Sequence, residues 1–137
     1  MRRTAEERTW TVGQLAEDLD VTTRTLRFYE SAGLITPEHR SSGRIYFARD
    51  HARMRLILRG KRFGMSLAEI REIVEMYDGA TSSERRQLET LLVRLAEIRA
   101  DLVGRRRDLA RILAEVETVT AQCQSRLRDL SVGATTA

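Results

Sequence analysis

The chain is poor in the residues that build metal centres and disulfide frameworks. Its 137 residues include one cysteine, Cys123, and two histidines, His39 and His51. A lone cysteine cannot supply the several thiolates of a zinc site or an iron–sulfur cluster. The histidines lie in turn and helix-start contexts, with no partner cysteine and no acid suited to pair with them. We therefore expect no metal and no cofactor, and we interpret Cys123 as a small buried apolar residue.

Long apolar runs and familiar catalytic motifs are also missing. No apolar stretch approaches the roughly 20 residues that cross a bilayer, and the polar start MRRTAEERT lacks the apolar segment of a signal peptide. The sequence has no nucleophile elbow, phosphate-binding loop or HExxH pattern. Glu69, Glu72 and Glu75 have the spacing of the solvated side of an amphipathic helix. We expect a cytoplasmic protein without enzymatic activity.

Positive charge is concentrated in one part of the chain, although the formal net charge is only +4. Residues 22–64 hold nine arginines and one lysine against three acids, a local excess of seven. Lys61 is the only lysine in the chain, so a general preference for arginine accounts for part of this richness. The concentration of charge in one segment nevertheless suits the binding of phosphates.

Residues 11–33, TVGQLAEDLDVTTRTLRFYESAG, have the pattern of two short helices joined by a tight polar turn. Thr11 and Gln14 fit a capping box at the start of the first helix, and Thr22 can cap the second. Gly33 suits the left-handed residue just past a helix end. Such a pair forms a helix-turn-helix, which places the start of its second helix in the major groove of DNA. From spacing alone, a helical hairpin in a small core explains the pattern equally well.

The segments that follow predict a hairpin and two more helices. Residues 39–44 (HRSSGR) are basic and turn-forming and precede the β-prone residues 45–47, which predicts a two-stranded wing. We expect a helix over Asp50–Phe63 and another that begins at a Ser66–Glu69 capping box.

The longest predicted helix begins at a capping box over residues 81–84 and carries a coiled-coil seam. Apolar residues recur at alternating steps of four and three, and only Arg105 interrupts them. A helix over residues 81–130 is far too long for a domain of roughly 70 residues to cover, so we expect the same helix of a second copy to bury the seam. The expected dimerisation residues are Leu91, Leu95, Ile98, Leu102, Leu109, Ile112, Val116 and Val119.

Three segments of the chain resemble a known family. TTRTLRFYESAGLI, GRIYFARDH and LRGKRFGMSLAEI occur in that order, and together they resemble the MerR family of transcription regulators over residues 10–78. The family's threonine- and arginine-rich helix, which ends in an aromatic pair and an acid, is matched by residues 24–30. Members usually have an aromatic residue before the wing arginine, whereas Gly43 precedes Arg44 here. Within the family, LILRGKRFGMSLAEIREIVEMYD is most similar to the regulators of branched-chain amino-acid and acyl-CoA breakdown.

The residues and the resemblance together predict a mainly α protein. A flexible arm over residues 1–9 precedes a winged helix-turn-helix DNA-binding domain over residues 10–78. A long antiparallel coiled-coil dimerisation helix follows over residues 81–130, and residues 131–137 form a disordered tail. The antiparallel pairing is implied by the resemblance alone. We expect no separate ligand-binding domain after the long helix, and the resemblance then implies the short type of the family.

The predicted function is that of a sequence-specific DNA-binding transcription regulator. The resemblance implies that a homodimer binds a pseudo-palindromic promoter site and bends or underwinds the promoter spacer. It also implies RNA polymerase at the promoter as a partner, beside double-stranded DNA, and a small-molecule effector such as an acyl-CoA thioester. Two alternatives from other classes stay open at this point: a coiled-coil protein-interaction adaptor, and a non-specific DNA-bending protein.

The candidate DNA-binding residues lie on the second helix, the wing and the connection between the two later helices. Arg24 is the expected base reader, because an arginine fork can bridge O6 and N7 of guanine. The other members contact the groove or the backbone, or shape the surface that does. Core packing is the alternative for the two tyrosines, and a solvated charge is the alternative for the lysine. The full set is Thr22, Thr23, Arg24, Arg27, Tyr29, Arg44, Tyr46 and Lys61.

Overall fold

The structure, a computed structural model, describes residues 8–79 and 83–135. It is mainly α-helical, with one small two-stranded hairpin and a long C-terminal helix, as the sequence predicts. The chain divides into two compact units, one ending at Leu88 and one beginning at Glu89. In chain order the elements are α1 (Val12–Leu19), α2 (Thr23–Ser31), β1 (Glu38–Arg40), β2 (Gly43–Ile45), α3 (Ala48–Arg62), α4 (Leu67–Tyr77) and α5 (Glu84–Thr135).

The caps of the first two helices confirm the predicted helix-turn-helix. The Thr11 hydroxyl accepts a hydrogen bond from the Gln14 backbone N–H at 3.2 Å, and the Gln14 side chain accepts one from the Thr11 N–H at 2.9 Å. Asp20 ends α1 in the left-handed conformation, with φ 54°. The Thr22 hydroxyl then caps α2 by accepting from the Thr25 N–H at 3.1 Å. Only two residues, Val21 and Thr22, separate this left-handed stop from α2.

The end of α2 has the geometry expected of a glycine-terminated helix. Gly33 adopts φ +76°, where a residue with a β-carbon would be strained. Its N–H donates to the Glu30 carbonyl at 2.9 Å, and the Leu34 N–H donates to the Tyr29 carbonyl at 3.0 Å. The chain therefore turns sharply after α2 and carries the buried residues Leu34 and Ile35 into the core.

The predicted wing is present as a short antiparallel hairpin. His39 pairs with Arg44 and Arg40 pairs with Gly43, so the loop consists of residues 41–42 alone. Gly43 has φ +115°, a conformation in which a residue with a β-carbon, an aromatic residue included, would be strained. A further bridge between Trp10 and Tyr46 joins the segment before α1 to the base of the hairpin.

Helix α3 begins at Ala48, slightly earlier than the predicted Asp50, and ends at Arg62. The reason is that the Asp50 carboxylate caps the helix from inside its first turn, by accepting from the Phe47 N–H at 2.9 Å. The other carboxylate oxygen accepts from the Thr36 N–H at 3.3 Å, although Asp50 is fully buried. A buried carboxylate needs such donors, and here they fix the loop before the wing to the start of α3.

Helices α3 and α4 approach closely at a glycine. Gly60 is buried in α3, and a β-carbon placed there would lie 2.9 Å from Cγ1 of Ile70 in α4. The predicted capping box opens α4, since the Ser66 hydroxyl accepts from the Glu69 N–H at 3.2 Å. At the other end of α4, Arg53 Nε donates to the Asp78 carboxylate at 3.0 Å.

Helix α5 runs for 52 residues, which corresponds to about 78 Å at 1.5 Å per residue. It continues to Thr135, so residues 131–135, expected to be disordered tail, are helical. The composition changes to small residues after Leu130, but no proline or turn cluster follows, and the helix continues. The predicted cap residues 81 and 82, like residues 1–7 of the predicted arm, lie outside the described residues. Among the described helices, none has a stretch both long and apolar enough to cross a membrane.

Candidate nucleic-acid interface

The first turn of α2 is exposed and polar. Thr22, Thr23 and Arg24 all face solvent, and the Thr22 hydroxyl lies 2.9 Å from the Thr25 hydroxyl in addition to capping the helix. The first N–H groups of a helix have no partner within it, and they carry the positive end of the helix dipole. This end of α2 therefore offers an arginine, hydroxyl groups and a positive field on one open surface.

The two faces of α2 separate the core residues from the candidate contacts. Leu26 and Tyr29 are buried, whereas Arg24 and Arg27 are exposed. The sequence left open whether Phe28 or Tyr29 packs inward, and the structure places Phe28 outside, with 54% of the residue exposed. Arg24 and Phe28 lie one helical turn apart, on the same side of α2. An exposed aromatic ring thus extends the basic surface of this helix.

One acid at the end of α2 binds both strands of the wing. Arg44 Nε, on β2, donates to Glu30 Oε2 at 2.8 Å. His39 Nε2, on β1, lies 2.7 Å from Glu30 Oε1, the other oxygen of the same carboxylate. The Glu30 side chain is only 15% exposed, while Arg44 is 34% exposed. Arg44 is therefore held beside α2 and still reaches the surface.

Lys61 lies in the last turn of α3 and is exposed, close to the predicted connection between α3 and α4. Arg59 and Arg62 share that last turn, so the end of α3 is strongly basic. Gly64, at φ +82°, then turns the chain towards the N-terminus of α4. Within the described residues, no hydrogen bond or ion pair joins Lys61 to α2 or to the wing.

The two tyrosines of the predicted set belong to the core. Tyr46 is fully buried and Tyr29 is 3% exposed, so neither can reach DNA in this structure. Burial raises the pKa of Tyr46, and the nearby Glu30 carboxylate adds to this effect. Core packing, the alternative considered for both residues, explains their positions, and we correct their assignment as DNA contacts on that ground.

Both histidines have an acidic partner, contrary to what the sequence suggested. His39 lies against Glu30, as described above, and His51 Nε2 lies 2.7 Å from Asp18 Oδ2 on α1. The His51 ring also packs against the Trp10 ring, with centroids 4.8 Å apart. These acids are far from the histidines in the chain, so sequence spacing could not reveal them. No group of three metal-binding side chains occurs among the described residues.

All eight predicted dimerisation residues lie on α5, and five of them are more than half exposed in a single chain: Leu102, Leu109, Ile112, Val116 and Val119. An apolar stripe of this size is unusual on a surface that stays in water. Arg105, in the middle of the stripe, forms an ion pair with Asp101 of its own chain at 2.9 Å. Cys123, expected to be buried in the seam, is exposed in the single chain.

The sequence reasoning missed Glu30 as an organising residue of the site. The signal available was an acid at the end of a helix in a region where basic residues prevail. An acid in a basic segment could identify Glu30 as unusual. It could not show that His39 and Arg44 contact the Glu30 carboxylate from two different strands. Those contacts depend on the path of the chain after Gly33.

Two family descriptions match the chain, and together they cover most of it. Residues 10–77 match the family described as MerR HTH family regulatory protein. Residues 51–119 match the family described as MerR, DNA binding. The first match contains α1 to α4 with the wing, and the second extends from α3 into α5.

Several proteins of known identity are similar in sequence. Nodulation protein NolA of Bradyrhizobium diazoefficiens is 37% identical over 97 residues, which make up 69% of this chain and 41% of NolA. The chain thus matches less than half of the length of NolA. The mercuric resistance operon regulatory protein of Pseudomonas fluorescens is 30% identical over 123 residues, covering 88% of this chain and 81% of that protein.

Solved structures show the same fold. A MerR family transcriptional regulator from Bacillus cereus superposes with a TM-score of 0.65 at 25% identity, covering 85% of this chain and 84% of the other. HiNmlR, a MerR family regulator lacking the sensor domain and bound to promoter DNA, superposes with a TM-score of 0.64 at 24% identity. That match covers 74% of this chain and 79% of HiNmlR, and at this identity it supports the fold alone.

Proposed function

Because the chain belongs to the MerR family and is a DNA-binding transcription regulator, not an enzyme, we propose that it acts as a homodimer on a pseudo-palindromic promoter site. The observation that carries this proposal is the exposed, capped first turn of α2, with Thr22, Thr23 and Arg24 at the surface. A second helix presented in this way is the part of a helix-turn-helix that enters the major groove. A cytoplasmic location is part of the proposal, because it is where such a protein would meet promoter DNA.

Arg24 is the proposed base reader. Its guanidinium is exposed near the start of α2, and a guanidinium can donate two hydrogen bonds to one guanine. Thr22 and Thr23 are short enough to contact base edges or the adjacent phosphate through their hydroxyl groups. Thr22 also holds the first turn through its cap, so its contribution to binding and its contribution to folding are linked.

Arg27, Arg44 and Lys61 are the proposed backbone contacts. They lie on three different elements, α2, β2 and α3, and each carries a positive charge to the surface. Contacts to phosphate give affinity and register without reading sequence. The three elements would thus hold α2 in one orientation in the groove, and Arg24 could then discriminate between bases.

A second copy of α5 is the proposed cover for the apolar stripe. The seam residues Leu109 and Ile112 stay exposed in one chain, and heptad spacing is the pattern that a partner helix buries. A two-fold dimer duplicates α2, and two copies of one helix related by two-fold symmetry recognise inverted half-sites. The antiparallel orientation of the pair follows from the family resemblance.

Distortion of the promoter spacer is the proposed mechanism. Smooth bending of a site of this kind costs on the order of 1–6 kcal/mol, which backbone contacts from the wings and from Lys61 would offset. HiNmlR, whose fold is similar, is a regulator bound to promoter DNA. RNA polymerase as a partner at the promoter and an acyl-CoA thioester as an effector remain predictions from the resemblance.

Selection of bound duplexes from random DNA by the purified protein tests the proposal. We expect recovery of an inverted repeat, with half-sites spaced to suit two copies of α2. Recovery of no DNA would support the protein-interaction adaptor instead. Recovery of duplexes without a common sequence would support the non-specific DNA-bending protein. Either of these results would overturn sequence-specific binding.

A further inference from the structure

A largely shielded acid is an unexpected component of a surface that binds phosphates. Glu30 lies in the last turn of α2, between exposed arginines on the helix and basic residues on the wing. A carboxylate in such a place repels DNA, and its removal would ordinarily be expected to raise affinity. We propose that Glu30 is instead a positioning residue for DNA binding, which orients the wing and the Arg44 guanidinium against α2. The proposal rests on the proposed function and deepens it.

The geometry gives Glu30 a partner on each strand. Oε1 meets His39 of β1 at 2.7 Å and Oε2 meets Arg44 of β2 at 2.8 Å. His39 and Arg44 are themselves opposite each other in the hairpin register. The carboxylate therefore binds a matched cross-strand pair and fixes the rotation of the whole hairpin about the helix, which a bond to one strand alone would not do.

The contacts with Glu30 stabilise the hairpin, whose own backbone pairing is short. Each strand has three residues, and an isolated two-stranded hairpin of that length is at best marginally stable in water. The Trp10–Tyr46 bridge holds its base. The part of the hairpin nearest the loop has no comparable backbone bridge among the described residues. Above the base, Glu30 contacts the middle cross-strand pair, His39 and Arg44, through two charge-assisted hydrogen bonds.

Glu30 leaves most of the Arg44 guanidinium free to bind a phosphate. The contact with Glu30 uses Nε, whereas a guanidinium has five N–H donors in a rigid fork. The carboxylate side of the pair is mostly shielded, while Arg44 is one-third exposed. An arginine side chain otherwise loses much rotamer freedom when it binds. Because Glu30 orients the Arg44 side chain, part of this conformational entropy is lost on folding, before DNA binds.

Binding of the selected operator duplex by four variants tests the proposal. They are Glu30→Gln, Arg44→Gln, the double variant, and Glu38→Gln as control. Glu38 is an acid of the same wing that forms an ion pair with Arg40 at 3.0 Å, and both residues lie on β1. Dissociation constants are measured over a range of salt concentrations, and circular dichroism melting checks that each variant is folded at the assay temperature.

We expect Glu30→Gln to weaken operator binding about tenfold and to reduce the salt slope by about one unit, as the loss of one phosphate contact does. Arg44→Gln should give the same loss, and the double variant should bind no worse than either single variant, because both remove one contact. Glu38→Gln should bind as tightly as the unmodified protein, or more tightly. A merely structural role would lower the melting temperature without changing the salt slope.

The proposal is overturned if Glu30→Gln binds the operator as tightly as the unmodified protein, or if its loss adds to that of Arg44→Gln. If Glu30→Gln is not folded, His39→Asn replaces it, since this exposed change leaves Arg44 and the core in place. His39→Asn should then weaken binding about threefold, and unchanged affinity would contradict the proposal. Failure of the unmodified protein to bind any duplex would instead count against the proposed function itself.

Discussion

Trp10 and Tyr46 bury polar atoms that have no hydrogen-bond partner among the described residues. These atoms are the indole Nε1 and the phenol oxygen. The backbones of the two residues are satisfied, because each donates to the other's carbonyl, at 2.9 and 2.8 Å. An unmet hydroxyl in a core opposes folding, and its removal without a change of shape can stabilise a protein. The Tyr46 ring therefore stabilises the core, whereas its unpaired hydroxyl lowers the free energy of unfolding.

We predict that Tyr46→Phe keeps or raises the free energy of unfolding, by up to about 1 kcal/mol. Burial raises the pKa of Tyr46, so the folded protein holds the phenol proton more tightly than the unfolded chain does. The resulting stability is present below the unfolded pKa of about 10 and is lost as the pH rises through the higher folded value. Urea titration at pH 8 and pH 11 should show a smaller alkaline loss in Tyr46→Phe.

DNA affinity should be unchanged in Tyr46→Phe, because the buried hydroxyl contacts no DNA. Tyr46→Ala is the matched comparison, and loss of the ring should cost roughly 3–5 kcal/mol of stability. A large loss of affinity in a stable, folded Tyr46→Phe protein would restore Tyr46 as a DNA contact.

Arg24 and Lys61 should differ in what their removal does to binding. We predict that Arg24→Ala costs about 1–3 kcal/mol at the selected site and relaxes the preference at one base pair. Lys61→Ala should weaken binding to all duplexes alike and lower the salt slope by about one unit. Gel-shift titrations on the selected site, on single-base variants of it and on random duplex distinguish the two patterns. A uniform loss in both variants would refute this division of roles.

At the scale of elements, local sequence rules predicted the starts of helices well. The Thr11–Gln14 and Ser66–Glu69 capping boxes and the Thr22 cap are all present, because each depends on residues within one turn. The start of α3 was placed late, because its cap is a buried acid that also serves Thr36. Likewise, the helical pattern could not tell which aromatic residue of α2 faces outward, since that depends on what packs against the helix.

Contacts between elements were the part of the site that the sequence could not predict. Glu30 lies fourteen residues from Arg44, and His51 lies thirty-three residues from Asp18. Periodicity describes one element at a time and carries no information on such pairs. Arg44 was therefore predicted as a candidate, while the acid that contacts both Arg44 and His39 was found only in the fold.

The close packing of α3 on α4 gives a prediction at this scale. Gly60→Ala should destabilise the protein, because the new methyl group would lie 2.9 Å from Ile70 Cγ1. The expected cost is about 1–3 kcal/mol from overpacking, reduced by about 1 kcal/mol of gained helix propensity. Thermal melting followed by circular dichroism measures it.

Gly13→Ala is the matched control, since Gly13 lies in α1 with no atom within 4 Å of the added methyl group. This change should stabilise the protein by up to about 1 kcal/mol. Equal effects of the two substitutions would show that α3 and α4 separate easily, and that the end of α3 near Lys61 is not held in place by Ile70.

At the scale of the whole molecule, the proposed dimerisation through α5 would set how many copies of α2 reach the DNA. The stripe from Leu102 to Val119 is exposed in one chain, and burial of a single large apolar side chain is worth about 1.5–3 kcal/mol. Burial of several such residues on each of two helices would supply much of the favourable free energy of the proposed dimer. The ion pair between Arg105 and Asp101 lies within one chain, so the charge in the seam is partly compensated before any partner arrives.

We predict that Ile112→Asp abolishes the dimer, because pairing would bury an unpaired carboxylate in an apolar seam. Val93→Asp is the control: Val93 is 62% exposed on α5 but lies on the side of the helix away from the seam. Sedimentation equilibrium should give a monomer for the first variant and a dimer for the second.

On the selected operator, Ile112→Asp should lose its preference for an inverted repeat over a single half-site, since one copy of α2 can contact only one half-site. Dimeric, fully active Ile112→Asp would mean that a surface other than this seam joins the two chains.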